Sequence, residues 1–192
     1  MIAGLASGVE LNGKDRMSTD SDVLDGVRNP HRWLAFLRIV VGLWFLKGVV
    51  TKLGIVMLGG VVPVPGANAR WTETMPRLLA RYAENNEFAF YKQFIEGTVI
   101  TNPELFASLT ALGETAVGIG LTFGVGTVIA ALTGLLLSTL YGLLTQHMSP
   151  GQQGFHFLLV GSMLAFLFAR AGRTWGLDAI LRRRWRWWRV IS

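Results

Sequence analysis

Apolar residues in this chain come in long blocks divided by short polar stretches. Four of the blocks approach or exceed the roughly 18 residues that a bilayer-spanning helix needs. They run over residues 33–58, 103–125, 127–146 and 154–171. Asn29-Pro30 leads into the first and Asn102-Pro103-Glu104 opens the second. Each entry pairs a capping side chain with proline at the first helical position, and Glu104 adds an acid to the first turn. Only Gly124-Val125-Gly126 divides the second block from the third, which predicts a tight hairpin. A turn-rich loop, His147-Met148-Ser149-Pro150-Gly151-Gln152-Gln153, divides the third from the fourth.

The segment between the first two blocks has a different rhythm. Trp71, Met75, Leu78, Leu79 and Tyr82, then Phe88, Phe90, Tyr91, Phe94 and Ile95, recur at helical spacing among Arg77, Arg81, Glu84, Glu87, Lys92 and Glu96. This pattern predicts one or two amphipathic helices lying on the membrane surface or capping the bundle. No repeat of fixed period is present. The predicted fold class is all-α: an integral membrane four-helix bundle with an amphipathic helical segment between spans one and two. Its parts are a polar tail at 1–28, a membrane domain at 29–180 and a basic, aromatic juxtamembrane tail at 181–192.

Composition supports the same class. Of 192 residues, 51% are hydrophobic and 16% charged, against roughly 25% charged in soluble domains. That excludes a compact soluble domain and intrinsic disorder. Cysteine is absent, which excludes disulfides, thiolate nucleophiles and Cys-ligated clusters within the chain. Residues 1–28 place a mildly apolar patch before Lys14, Asp15, Arg16, Asp20, Asp22 and Asp25. That is the reverse of a signal peptide and predicts a polar cytoplasmic tail.

Charge sets the expected orientation. The net charge is +6, and residues 182–189 hold five Arg and three Trp; without those five Arg the net is +1. The positive-inside rule puts this end, and with four spans also the N-terminus, in the cytoplasm. The segment between spans one and two balances Arg70, Arg77, Arg81 and Lys92 against Glu73, Glu84, Glu87 and Glu96, as suits a translocated loop. Beside a membrane span, Arg170, Arg173, Arg182, Arg183, Arg184, Trp185, Trp187 and Trp188 read as lipid anchors rather than a nucleic-acid patch.

Ionisable groups within the spans are the candidate chemistry, because each costs roughly 2.5–3.5 kcal/mol on insertion scales. Span one carries Arg38, Lys47 and Lys52, and span two carries Glu114. At about 1.5 Å rise per residue, Arg38 lies ~7 Å from the inner surface, Lys47 ~21 Å in, Lys52 near the outer rim and Glu114 near the midplane. At about 100° per residue, Arg38, Gly42, Phe45, Val49 and Lys52 form one stripe. Lys47 takes the opposite face, toward lipid or a partner subunit. The stripe predicts Arg38 facing Glu114, as a structural ion pair or as the charged wall of a site for an anion, a proton or a quinone carbonyl. Lys52 reads first as a snorkelling side chain. His147 and His156 lie near one surface and close in sequence, so neither a haem nor a metal centre is predicted.

Three of these motifs resemble one family. Arg38…Gly42…Phe45…Gly48…Lys52-Leu53 resembles the first helix of DoxX/DoxD-type membrane proteins, and Gly113-Glu114…Gly118…Leu121…Gly124 resembles their second. Ala171-Gly172-Arg173-Thr174-Trp175-Gly176-Leu177-Asp178 resembles their closing Gly-Arg…Leu-Asp signature. The aromatic outer segment ending in Asn-Pro resembles most nearly DoxD, the small subunit of thiosulfate:quinone oxidoreductase. The resemblance implies a four-helix bundle that passes electrons from a sulfur compound to membrane quinone with a second subunit. It implies no covalently bound cofactor, and assembly into a homo- or hetero-oligomer. Arg38 and Glu114 would tune charge at the site, Lys52 would attract an anion, and Phe45, Trp71 and Tyr91 would flank the quinone. Two other readings are an accessory subunit of a larger membrane complex and a small transporter that titrates Glu114. The absence of a broken-helix signal counts against the transporter.

Overall fold

The computed structural model describes residues 29–184. The polar tail anticipated at 1–28, and Trp185, Trp187 and Trp188, lie outside them. In chain order come α1 (Pro30–Lys52), β1 (Leu53–Leu58), β2 (Val62–Ala67), α2 (Ala69–Glu84) and α3 (Ala89–Phe94). A π-helical turn (Ile95–Val99) continues α3, then follow α4 (Pro103–Phe123), α5 (Thr127–Thr145) and α6 (Pro150–Phe168). A 3-10 turn (Ala171–Arg173) leads to α7 (Leu177–Arg184). Four helices, α1, α4, α5 and α6, are long and apolar enough to cross a membrane. The chain is a multi-pass, all-α membrane protein with one small β-hairpin.

Local chemistry accounts for most element ends. Asn29 accepts a hydrogen bond from the His31 amide (3.0 Å) and Ser149 accepts one from the Gln152 amide (3.3 Å), each ahead of a proline at the first helical position. Gly124 (φ 63°) and Gly126 (φ 57°) both sit in the left-handed region, which lets α4 reverse into α5 within three residues. Asn102 departs from the expected role. Its amide donates to Thr98 O (2.9 Å), so α4 starts without a side-chain cap.

The first span ends at Lys52, not at 58. Residues 53–67 form an antiparallel hairpin with Leu53 opposite Ala67 and Leu58 opposite Val62. Gly59 and Gly60, both at positive φ, make the turn, and Pro63 and Pro65 rule out helix in the second strand. An apolar strand that follows an apolar helix has the same hydropathy, so the block alone could not place the boundary. Asn68 then fastens the junction. It caps α2 at the Trp71 amide (2.8 Å) and donates to Thr51 O at the end of α1 (3.0 Å).

α1 packs along α4, α4 on α5, and α5 on α6. The α1–α4 crossing is tight: a Cβ on Gly118 would stand 2.8 Å from the Leu46 backbone nitrogen. One core cluster gathers Phe45, Val117, Leu121, Leu137, Met163 and Phe166 within the bundle. A second gathers Met75, Tyr91, Ile95, Ala107 and Leu144 where α2 and α3 cover α4 and α5. The amphipathic segment therefore caps the bundle, as one of the two placements predicted.

Candidate functional site

Glu114 comes from the middle of α4 and is buried. Gly48 on α1 faces it so closely that a Cβ there would collide with the carboxylate. Lys52, one turn further along α1, donates to Glu114 Oε1 at 2.6 Å. Tyr141, from α5, donates its hydroxyl to the same oxygen at 2.7 Å. The Lys52 ammonium also stands 4.3 Å from the Trp71 ring centroid and 5.7 Å from that of Tyr141. Three spans or their flanks thus meet on one carboxylate, with Lys52 and Glu114 side chains 19% and 9% exposed. This is a desolvated, charge-assisted cluster.

A cavity of about 300 Å³ opens beside the cluster. Lys52, Trp71, Tyr91, Phe106, Tyr141 and His156 contribute to a wall that is otherwise mainly aliphatic. A smaller cavity, about 190 Å³, lies toward α1 and α6, and Phe45, Lys47 and Glu114 line it. Lys52, Tyr141 and His156 stand in the walls of both. The imidazole is buried, and its Nδ1 has no hydrogen-bond partner.

The outer segment is held over the cavity by polar contacts to α4 and α5. Trp71 Nε1 donates to Thr110 Oγ1 on α4 (3.2 Å). The Tyr91 hydroxyl donates to Leu140 O and Asn86 Nδ2 donates to Leu143 O, both at 2.8 Å. Leu143 belongs to the last turn of α5, where carbonyls lack helical partners, so Asn86 satisfies one of them. Burial pushes the Tyr91 hydroxyl up to about 12.

Arg38 is not where the sequence put it. Its guanidinium lies beside Gly124, just past the end of α4 and ~15 Å along that axis from Glu114. It donates to Ala171 O (2.7 Å), Thr174 O (3.3 Å) and Trp175 O (2.9 Å). The predicted Arg38–Glu114 pair is therefore replaced by Lys52–Glu114, and the snorkelling Lys52 turns inward instead. Lys47 does take the opposite, exposed face, 5.1 Å from the Trp44 ring centroid. Of the residues expected around a quinone, Lys52, Trp71 and Tyr91 share the larger cavity and Phe45 lines the smaller. Arg170 and Arg173 lie in the turn after α6, and Arg182, Arg183 and Arg184 on α7.

Three residues with defined roles escaped the sequence reading. Tyr141 is one of three tyrosines and lies in an apolar run one turn before the end of α5, where a buried phenol needs a partner. His156, read only as lying near one surface, is buried in α6 and stands in the walls of both cavities. Asp178 accepts from the Gly126 and Thr127 amides at 2.8 and 3.0 Å and so caps α5 from a distance. A signal existed. α5 begins at Gly-Thr with no acid in its first turn, and Asp178 is the sole acid after Glu114. No protein-family model, curated protein sequence or solved structure matches this chain.

Proposed function

We propose that this chain is the membrane subunit of a quinone-linked oxidoreductase of the DoxD kind. It works with partner subunits in the oxidation of a sulfur compound such as thiosulfate. Its place is the prokaryotic cytoplasmic membrane, with both termini on the cytoplasmic side. The observation that carries the reading is the 300 Å³ cavity beside the Lys52–Glu114–Tyr141 cluster. Its volume is at the lower end of the ~300–1,000 Å³ typical of ligand sites, enough for a headgroup whose tail leaves through the wall.

The lining suits a quinone ring. Trp71, Tyr91 and Phe106 offer aromatic faces, and the aliphatic wall excludes water. Carbonyl oxygens need donors. Lys52 has N–H groups beyond the one given to Glu114, and the His156 Nδ1 is buried without a partner. A bound quinone supplies the capacity to accept two electrons and two protons. Lys52 and His156 hold donors at the cavity wall, while Glu114 holds the ammonium in place and Tyr141 fixes the carboxylate. With no cysteine in the chain, the electrons come from a partner subunit.

A second reading, a non-catalytic accessory subunit, draws on Arg38, which donates to the backbone carbonyls of Ala171, Thr174 and Trp175 and so holds the fold. Purification in mild detergent separates the two. The oxidoreductase reading expects co-purifying quinone, thiosulfate-dependent quinone reduction, and at least a fivefold loss of both in Lys52→Met and in the cavity-filling Leu78→Trp. If both variants stay folded and retain quinone like the wild type, the site assignment is wrong. If the intact complex neither holds nor reduces quinone, the accessory reading stands.

A further inference from the structure

The end of the bundle that carries Pro30 and Arg184 has a cavity of its own. It measures about 290 Å³, and its wall is formed by His31, Leu34, Ala169, Arg170, Ala171, Arg173 and Thr174. Two guanidinium groups and an imidazole meet an apolar floor there. Among the described residues no acidic side chain lines it. Desolvation first, and then the nearby charges of Arg182 and Arg170, lower the affinity of Arg173 for its own proton.

The loop that presents them is held at both ends. Arg38 grips the carbonyls of Ala171, Thr174 and Trp175 from inside the bundle. Asp178 is pinned to the start of α5, and its own amide donates to Gly124 O at 2.8 Å. Arg170 (φ 47°) and Trp175 (φ 50°) both adopt the left-handed region, uncommon for residues with a Cβ. Such geometry persists where the surroundings fix it, and it clusters at binding sites. Trp33 and Trp175, 59% and 60% exposed at this same end, are side chains of the kind that settle at headgroup depth.

We propose that this cavity is a discrete binding site for the phosphate of an anionic glycerophospholipid, clamped by Arg170 and Arg173. Planar guanidinium forks match phosphate oxygens in pairs. Leu34 and Ala169 offer the apolar wall that the first carbons of a lipid's acyl chains need and a free phosphate ion does not. Arg38, deep in the bundle, acts as a positioning residue for the clamp.

Native mass spectrometry of the full chain in detergent tests this, with phosphatidylglycerol, phosphatidylcholine and inorganic phosphate as probes. Phosphatidylglycerol adducts are expected to exceed phosphatidylcholine adducts at least fivefold. Replacing Arg170 and Arg173 together by Gln erases that preference. Replacing Arg183 and Arg184, exposed on α7, by Gln removes the same charge and changes it less than twofold. Leu34→Trp fills the cavity with every charge kept and is expected to erase the preference too, which guards against misfolding of the arginine variant. Equal losses from the two arginine pairs, or an unaffected Leu34→Trp, would overturn the site in favour of a diffuse surface field. Full displacement of phosphatidylglycerol by millimolar phosphate would overturn the lipid as the source of the anion.

Discussion

Arg38 and Lys52 leave the same face of α1 about 21 Å apart, and the bundle treats them in opposite ways. Arg38 is fully buried and meets the carbonyl dipoles of a loop wrapped around it. Lys52 is partly exposed and meets a carboxylate, with an indole beside it and a cavity next to that. Neutral dipoles bind a guanidinium without cancelling its charge. The result is a closed structural joint. An ion pair at a cavity wall is different: its members have donor capacity left over, and a ligand can compete for it. A buried charge alone does not mark a functional site. What separates the two ends is whether the charge borders space.

The largest expected effect breaks the closed end. Arg38→Ala leaves three carbonyls without their donor and frees the 171–175 loop, at about 3–5 kcal/mol. Thermal unfolding in detergent is expected to show a collapse of stability that lowers quinone retention only indirectly, through lost protein. If Arg38→Ala melts like the wild type, the joint is not structural. Glu114→Gln at the open end is expected to cost less, about 1–3 kcal/mol, because Lys52 keeps Trp71 and some solvent contact. There the ratio of quinone retained to protein folded is expected to fall, and an unchanged ratio would equate the two ends.

The smallest effect sharpens the account of the cover. Tyr91→Phe removes the hydrogen bond to Leu140 O and is expected to cost about 1 kcal/mol. Its pH dependence has a definite sign. The folded hydroxyl titrates near 12 and an unfolded one near 10. The contribution is whole below pH 10 and disappears as pH rises through 12. The wild type is therefore expected to lose stability over that window more steeply than Tyr91→Phe, measured by melting in alkali-stable detergent.

Much of this was legible in the chain. The four spans, the proline-led start with its working cap at Asn29, and the bundle-capping placement of the outer segment as one of two follow from hydropathy, spacing and cap chemistry; the cap read at Asn102 is absent, and the one at Ser149 falls in a segment read as loop. Phe45, Trp71, Tyr91 and Lys52 were singled out for the cavity region, and the structure places them along two adjoining cavities. The Arg38–Glu114 pairing failed for a reason of register. Angle put Arg38 and Lys52 on one stripe, and depth put Glu114 between Arg38 and Lys47, with Lys52 at the outer rim. Whether Arg38 or Lys52 meets Glu114 depends on how far α1 slides along α4. Glycine contacts such as Gly118 against Leu46 and Gly48 against Glu114 set that offset, and no periodicity records it. The hairpin at 53–67 was hidden because strand and helix share one hydropathy there, although Gly59-Gly60 and the two prolines were the signal to read.

The grip of Arg38 also imposes an order of synthesis. Its partner Ala171 is made 133 residues later. At ~5–20 residues per second, the first helix waits on the order of 10 s with a bare guanidinium at membrane depth. Its acceptors arrive only after the fourth span has been threaded. Any nascent chain that stalls or is cut before that point presents an unsatisfied cation within the bilayer, a state that membrane proteases and chaperones can recognise. The first span's buried guanidinium is thus satisfied only when the last span and its closing loop are in place.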